Sequence, residues 1–147
     1  MPANEGDLRE LVRRLERKLG FLKESELSCC GVSFTQCHAL VEIGRNNSVS
    51  LNHLAEILNL DASTMSRTVN NLVNKRLVKR RTDKTDRRCV CIELTAKGNE
   101  LYLGIESDME KYYSMIFSRI PQEKKQQVLE SLGILIDAIG EDYCCSD

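Results

Sequence analysis

Between Asp61 and Gly98 the apolar residues change from the period of a helix to that of a strand, and this change limits what the chain can fold into. Met65, Val69, Leu72 and Val73 recur at three- and four-residue steps, the mark of an α-helix with one buried stripe. Leu77-Val78-Lys79-Arg80 then reads as a short strand, and Val90, Ile92 and Leu94 alternate as a second. The polar stretch between them, D-K-T-D-R-R at 83–88, is the loop joining an antiparallel pair. A helix followed at once by a two-stranded ribbon with a charged tip is a wing.

The exposed side of that helix is chemically selective. Opposite the apolar stripe it carries Ser63, Ser66, Arg67, Asn70 and Asn74 at steps of three or four. Short side chains permit close approach to a groove floor, and Arg and Asn pair bidentately with guanine and adenine. A plain solvated helix more often shows Glu and Lys on this side. The tip adds Lys84, Arg87 and Arg88, with Asp83 and Asp86 among them, which suits a loop lying along phosphates or in a minor groove. The net charge of −1 argues against a nucleic-acid partner, but the distribution reverses that argument. Residues 61–98 hold ten Lys/Arg against four Asp/Glu, whereas residues 99–147 hold four against ten. The basic charge is therefore concentrated in one region, as an electrostatic footprint requires.

The flanks read as helices. Leu8, Leu11, Val12, Leu15, Leu19 and Leu22 give a long amphipathic first helix, which Gly31 ends. Ser33-Phe34-Thr35-Gln36 has the form of a capping box and opens a second helix through about Gly44. Asn46-Asn47 is a turn, Ser50 caps a short helix bearing Leu51, Leu54, Ala55 and Leu58, and Asp61 caps the next. Thr95 caps a long helix with Leu101, Ile105, Met109, Tyr112 and Ile116, and Pro121 is expected in the first turn of a last helix. That helix has Val128, Leu132, Leu135 and Ile139 as one seam, with Leu129 and Ile136 beside it. These stripes exceed what one small winged module covers, so a second chain is expected against them, a monomeric bundle being the alternative. The expected fold is mainly α with a small β-wing. The whole of 1–147 is one unit, with a winged helix-turn-helix lobe at 46–98 and dimerisation helices at 1–45 and 99–147. No apolar run approaches the roughly 20 residues that span a bilayer, and the first residues are polar, so a cytoplasmic protein with no membrane partner is expected.

This order of elements resembles the MarR family of winged-helix regulators. The likeness lies in Leu54-Ala55, in S-T-M-S-R-T-V-N-N-L at 63–72, and in Leu77-Val78 with Lys79-Arg80-Arg81. It is most specific in D-R-R-C-V-C-I-E-L-T-A-K-G at 86–98, which is similar to the family's Asp-x-Arg wing followed by Leu-Thr-x-x-Gly, and it extends over essentially the whole chain. The resemblance implies that Asp86 orients basic side chains and fixes the tip, and that Arg88 enters the minor groove. It further implies that Ser63, Thr64, Ser66, Arg67 and Asn70 read the major groove. Such proteins are homodimers joined through their terminal helices. They usually repress transcription on a double-stranded operator and release it when a ligand, a metal or thiol oxidation alters the spacing of the two recognition helices. That spacing must be about 34–36 Å to enter successive major grooves.

Seven cysteines in 147 residues set this chain apart, and their odd number prevents complete pairing within it. Cys29, Cys30 and Cys37 form the best sensing cluster, with His38 beside Cys37; Cys144 and Cys145 lie at the C-terminus. Thiolates hold thiophilic metals or metalloids and are open to oxidation, so no cofactor is required but a soft metal or an oxidant fits as effector. An organic ligand in the cleft between the dimer helices and the winged lobe is the other class of signal. The bland readings are that Cys37 is a small core residue, that Cys144 and Cys145 are a tail, and that Cys89 and Cys91 pack under the wing. With no Cys-x-x-Cys and only two histidines, a closed zinc site is not expected. No Gly-rich phosphate loop and no nucleophile–base pair is visible, so an enzyme is not expected. A winged module that binds protein or RNA is the alternative function, which the polar Ser/Arg/Asn face and basic tip disfavour.

Overall fold

The computed structural model describes residues 2–140 except 83, 84 and 87, and for residues 21–30 the backbone alone. Six α-helices and three strands are described: α1 Glu5–Cys30, α2 Phe34–Asn46, β1 Val49–Ser50, α3 Leu51–Leu58 and α4 Ala62–Asn74, then β2 Val78–Thr82, β3 Val90–Leu94, α5 Ala96–Ser118 and α6 Lys125–Ile139. None of the described helices is long and apolar enough to cross a membrane. The chain divides into two compact units, Met1–Ile105 and Glu106–Asp147, with the boundary inside α5.

Local chemistry sets most helix ends. Asn4 opens α1, its side-chain oxygen accepting from Gly6 and Asp7 N–H while Asp7 accepts from Asn4 N–H. Gly31, at φ 66°, closes it in the left-handed conformation that a side chain disfavours. Ser33 and Gln36 form the expected reciprocal box at the start of α2, which runs two residues beyond Gly44.

The core of the first unit is built where α2, α3 and α4 meet the sheet. Leu40, Ile43, Leu54, Met65, Val69, Leu72, Val78 and Ile92 are fully buried. The helical stripe of α4 thus faces inward as its spacing required, joined by Thr68, whose hydroxyl donates to Thr64 C=O at 2.9 Å. That bond satisfies a buried polar group within the helix itself.

The sheet has one strand more than the expected pair. Its order is β1-β3-β2, antiparallel throughout, with Val49 opposite Ile92 on one side and Arg80 opposite Ile92 on the other. β1 is only two residues long, so no alternation can announce it, and Ser50 is both its last residue and the N-cap of α3. Leu77 lies just before β2 rather than in it, because its N–H closes the end of α4 on Leu72 C=O. Alternation along β3 is also incomplete: Ile92 is buried, but Val90 is 43% exposed where the ribbon leaves the core. Cys89 is exposed and outside β3, while Cys91 is half-buried, so only the latter is partly covered.

In the second unit, Pro121 does not sit in the first turn of the last helix. It stands, at ψ 136°, before a 3₁₀ turn at Gln122–Lys124 that leads into α6. Lys125 Nζ lies 4.8 Å from the centre of the Phe117 ring across this connection. The apolar seams of both terminal helices are largely uncovered: Leu8, Leu11, Leu15 and Leu19 in α1, and Leu129, Leu132, Ile134, Ile136 and Ile139 in α6, are exposed.

Candidate nucleic-acid interface

The helix-turn-helix is made by two well-formed ends placed close together. Asn59, at φ 53°, ends α3: its N–H donates to Glu56 C=O at 3.2 Å and Leu60 N–H to Ala55 C=O at 2.9 Å. This pair of bonds is a Schellman closure, with Asn tolerating the left-handed backbone. Asp61 then opens α4, accepting from Thr64 N–H at 3.4 Å and from the Ser63 hydroxyl. The Ser63 bond, then that to Thr64, lowers the Asp61 pKa from 3.8 to about 2, so the carboxylate is ionised across the neutral range.

With the α4 stripe anchored in the core, its opposite side faces solvent. Ser63, Arg67 and Asn70 are exposed and Thr64 and Ser66 are half-buried. Because the Ser63 hydrogen is directed at Asp61, what Ser63 offers outward is oxygen lone pairs. Asn70 is not independent either: its Oδ1 accepts from Arg80 Nη2 on β2. Arg80 counts in the sequence only as part of the family likeness, with no site role. Its signal lies in strand phase, since it is two residues on from buried Val78 and therefore on the side of β2 that faces the helices. Arg81, on the reverse side, lies 3.6 Å from Glu93 instead.

α4 ends in a second Schellman closure, with Arg76 N–H on Val73 C=O at 2.9 Å and Leu77 N–H on Leu72 C=O at 3.0 Å. Arg76 takes the left-handed position, at φ 62°, usually filled by glycine. Lys75 is drawn inward, donating to Gly31 C=O at 3.0 Å and Gln36 Oε1 at 2.7 Å, which ties this end of α4 to the start of α2.

The Leu-Thr-x-x-Gly run forms the root of the wing. Thr95 N–H donates to Leu77 C=O at 3.0 Å, and its hydroxyl donates to Arg76 C=O at 2.6 Å while accepting from Gly98 N–H at 3.0 Å. A Cβ at Gly98 would fall 1.9 Å from the Leu77 carbonyl oxygen, so only glycine permits this approach. At the other end of the ribbon Asp86 organises the tip. Its Oδ1 accepts from Arg88 N–H at 3.0 Å, its Oδ2 lies 3.6 Å from the Cys89 thiol, and its C=O accepts from Cys89 N–H at 3.0 Å. The carboxylate thus holds backbone and thiol and leaves the Arg88 side chain exposed. Lys84 and Arg87 lie outside the described residues, as do the side chains of Cys29 and Cys30 and the whole of Cys144 and Cys145.

Cys37 is buried in α2. Among the described residues no group of three or more His, Cys, Asp or Glu side chains is arranged to hold a metal ion. A pocket of ≈ 310 Å³ opens between Ile43 and Gly44 of α2, Glu93 and Leu94 of β3, and Ala96 and Asn99 of α5.

Residues 31–88, which include α3, α4 and the wing tip, match the model of the MarR family. The chain is 26% identical over 113 residues to the HTH-type transcriptional regulator BilQ of Clostridium symbiosum, across 75% of this chain and 78% of that protein. It is 25% identical over 142 residues to the transcriptional repressor MprA of Escherichia coli, across 95% and 81%. Its fold matches that of Streptococcus pneumoniae FabT, solved in complex with DNA, at a TM-score of 0.85 and 19% identity, over 92% of this chain and 97% of that one. With a polar-faced α4, a capped wing and these relatives together, the chain has the winged-helix fold of the MarR family and is similar to its transcriptional regulators.

Proposed function

We propose that the chain works as a homodimeric repressor that reads a duplex operator through α4 and grips the adjoining backbone with its wing. The observation that carries this reading is the solvent side of α4: Ser63, Arg67 and Asn70 stand exposed on a helix whose other side is locked into the core. Ser63, Thr64, Ser66, Arg67 and Asn70 contact base edges in the major groove. Lys84, Arg87 and Arg88 contact phosphate or the minor groove, with Asp86 setting the tip. A second copy covers the exposed leucines and isoleucines of α1 and α6, which are too many for a monomer to leave in water. Repression, the activity named for MprA, follows from covering promoter DNA.

Two kinds of signal fit release. The open pocket beside Gly44 and Asn99 supports an organic ligand, and Cys29 and Cys30, consecutive in the sequence, support a thiol-reactive species or metalloid. The test is to select duplexes from a random pool, map the protected bases, and titrate oxidant, arsenite and aromatic acids into the complex. Protection of two half-sites one helical turn apart is expected, with dissociation by one class of effector only. Release by the thiol reagent that persists in a Cys29→Ser/Cys30→Ser protein excludes those cysteines.

A further inference from the structure

We infer that Arg80 fixes the hydrogen-bond polarity of Asn70, making the asparagine of α4 a donor that selects guanine over adenine at one base pair. The inference rests on the DNA-binding reading above and adds a specificity determinant that lies in the sheet rather than in the recognition helix.

Arg80 shares a side of β2 with Val78, which is buried against the helices, and just beyond the edge of the core its Nη2 donates to Asn70 Oδ1. A guanidinium has five donors and no acceptor, so the carboxamide atom that faces it must be oxygen. Chemistry therefore assigns the orientation of Asn70: the oxygen is held on the wing side, and the NH₂ group, two donors, remains. Both side chains are exposed, so the NH₂ group is open to an incoming ligand.

An unrestrained asparagine recognises adenine bidentately, accepting from N6–H and donating to N7. That contact needs both carboxamide atoms in register with one base. Held by Arg80, Asn70 keeps its oxygen turned towards the wing and out of register with the base, and presents its NH₂ donors outward. Guanine offers acceptors at both N7 and O6, whereas adenine would set its own N6–H donors against the NH₂ group. Arg80 is thus a positioning residue, acting on the base through Asn70.

The experiment measures affinities of the full-length protein for its selected duplex with guanine or adenine at the position whose preference is lost in Asn70→Ala. The wild type is expected to favour guanine by roughly tenfold, the scale of one good side-chain–base pair. Arg80→Met frees the carboxamide and is expected to swing the ratio to adenine, but to change no ratio when Asn70→Ala is also present. Asn70→Asp keeps a partner for Arg80 while replacing the outward NH₂ with oxygen, and should abolish the guanine preference. An unchanged guanine-to-adenine ratio in Arg80→Met, with affinity lowered alike for all four bases, would overturn the inference. So would the lack of any position whose preference Asn70→Ala removes, since Asn70 would then read no base. Failure of the wild type to bind any duplex in a salt-sensitive way is a separate result, and removes the DNA-binding reading itself.

Discussion

Asp61 shows how much one side chain can decide at the start of a helix such as α4. Its carboxylate caps α4 and orients Ser63, and its pKa falls from 3.8 to about 2 because those donors favour the charged form. A depressed folded-state value makes its contribution to stability complete above the unfolded value and lost as pH falls through the folded one. Urea midpoints measured over a pH series should therefore decline between about pH 4 and about pH 2, and decline less steeply in Asp61→Asn. Parallel curves for the two proteins would show that the cap does not titrate with folding. At the wing, Arg88→Ala should weaken operator binding by about 1–3 kcal/mol, read by gel shift. Asp86→Ala should weaken it as well, although it removes a negative charge, because Arg88 N–H loses its acceptor. A gain of affinity in Asp86→Ala would mean that charge outweighs tip geometry. The cap at Asp61 was legible because capping is a contact three residues long. The role of Arg80 was not, because it depends on which way a strand residue faces and on which helix residue stands across from it.

Among elements, the junction of α4, β2 and α5 is the most tightly determined. Thr95 and Gly98 meet the backbone of Arg76 and Leu77, and a methyl group on Gly98 would fall 1.9 Å from the Leu77 carbonyl oxygen. Gly98→Ala should destabilise the chain by about 1–3 kcal/mol, the usual cost of overpacking, and loosen the wing root. Chemical denaturation tests this; an unchanged midpoint would show that the junction can open freely. The family's Leu-Thr-x-x-Gly run was recognisable as a motif, but its meaning, a cap fused to a close backbone contact, emerges only when β2 and α5 are seen together. Helix bounds followed the sequence because stripes and caps are local. The two-residue β1 and the 3₁₀ turn after Pro121 did not, since the first is too short for a pattern and the second depends on a residue that fits two kinds of turn.

For the molecule as a whole, the proposed function gives the expected basic region and the uncovered seams one partner each, DNA and a second copy. Ile136 is 68% exposed on α6, so Ile136→Glu should leave the fold intact and shift sedimentation from dimer to monomer. Operator affinity should then fall by on the order of 10²-fold, as expected when two linked half-site contacts become one. A wild-type protein that sediments as a monomer would contradict the dimer. The most direct test of the central claim is an equilibrium titration of the wild-type protein with its selected duplex and a scrambled one, between about 50 and about 200 mM salt. The account predicts that log affinity falls linearly with log salt on both duplexes, with the selected duplex tighter by roughly 10³-fold or more. No binding, or binding equal on the two duplexes and indifferent to salt, would contradict it.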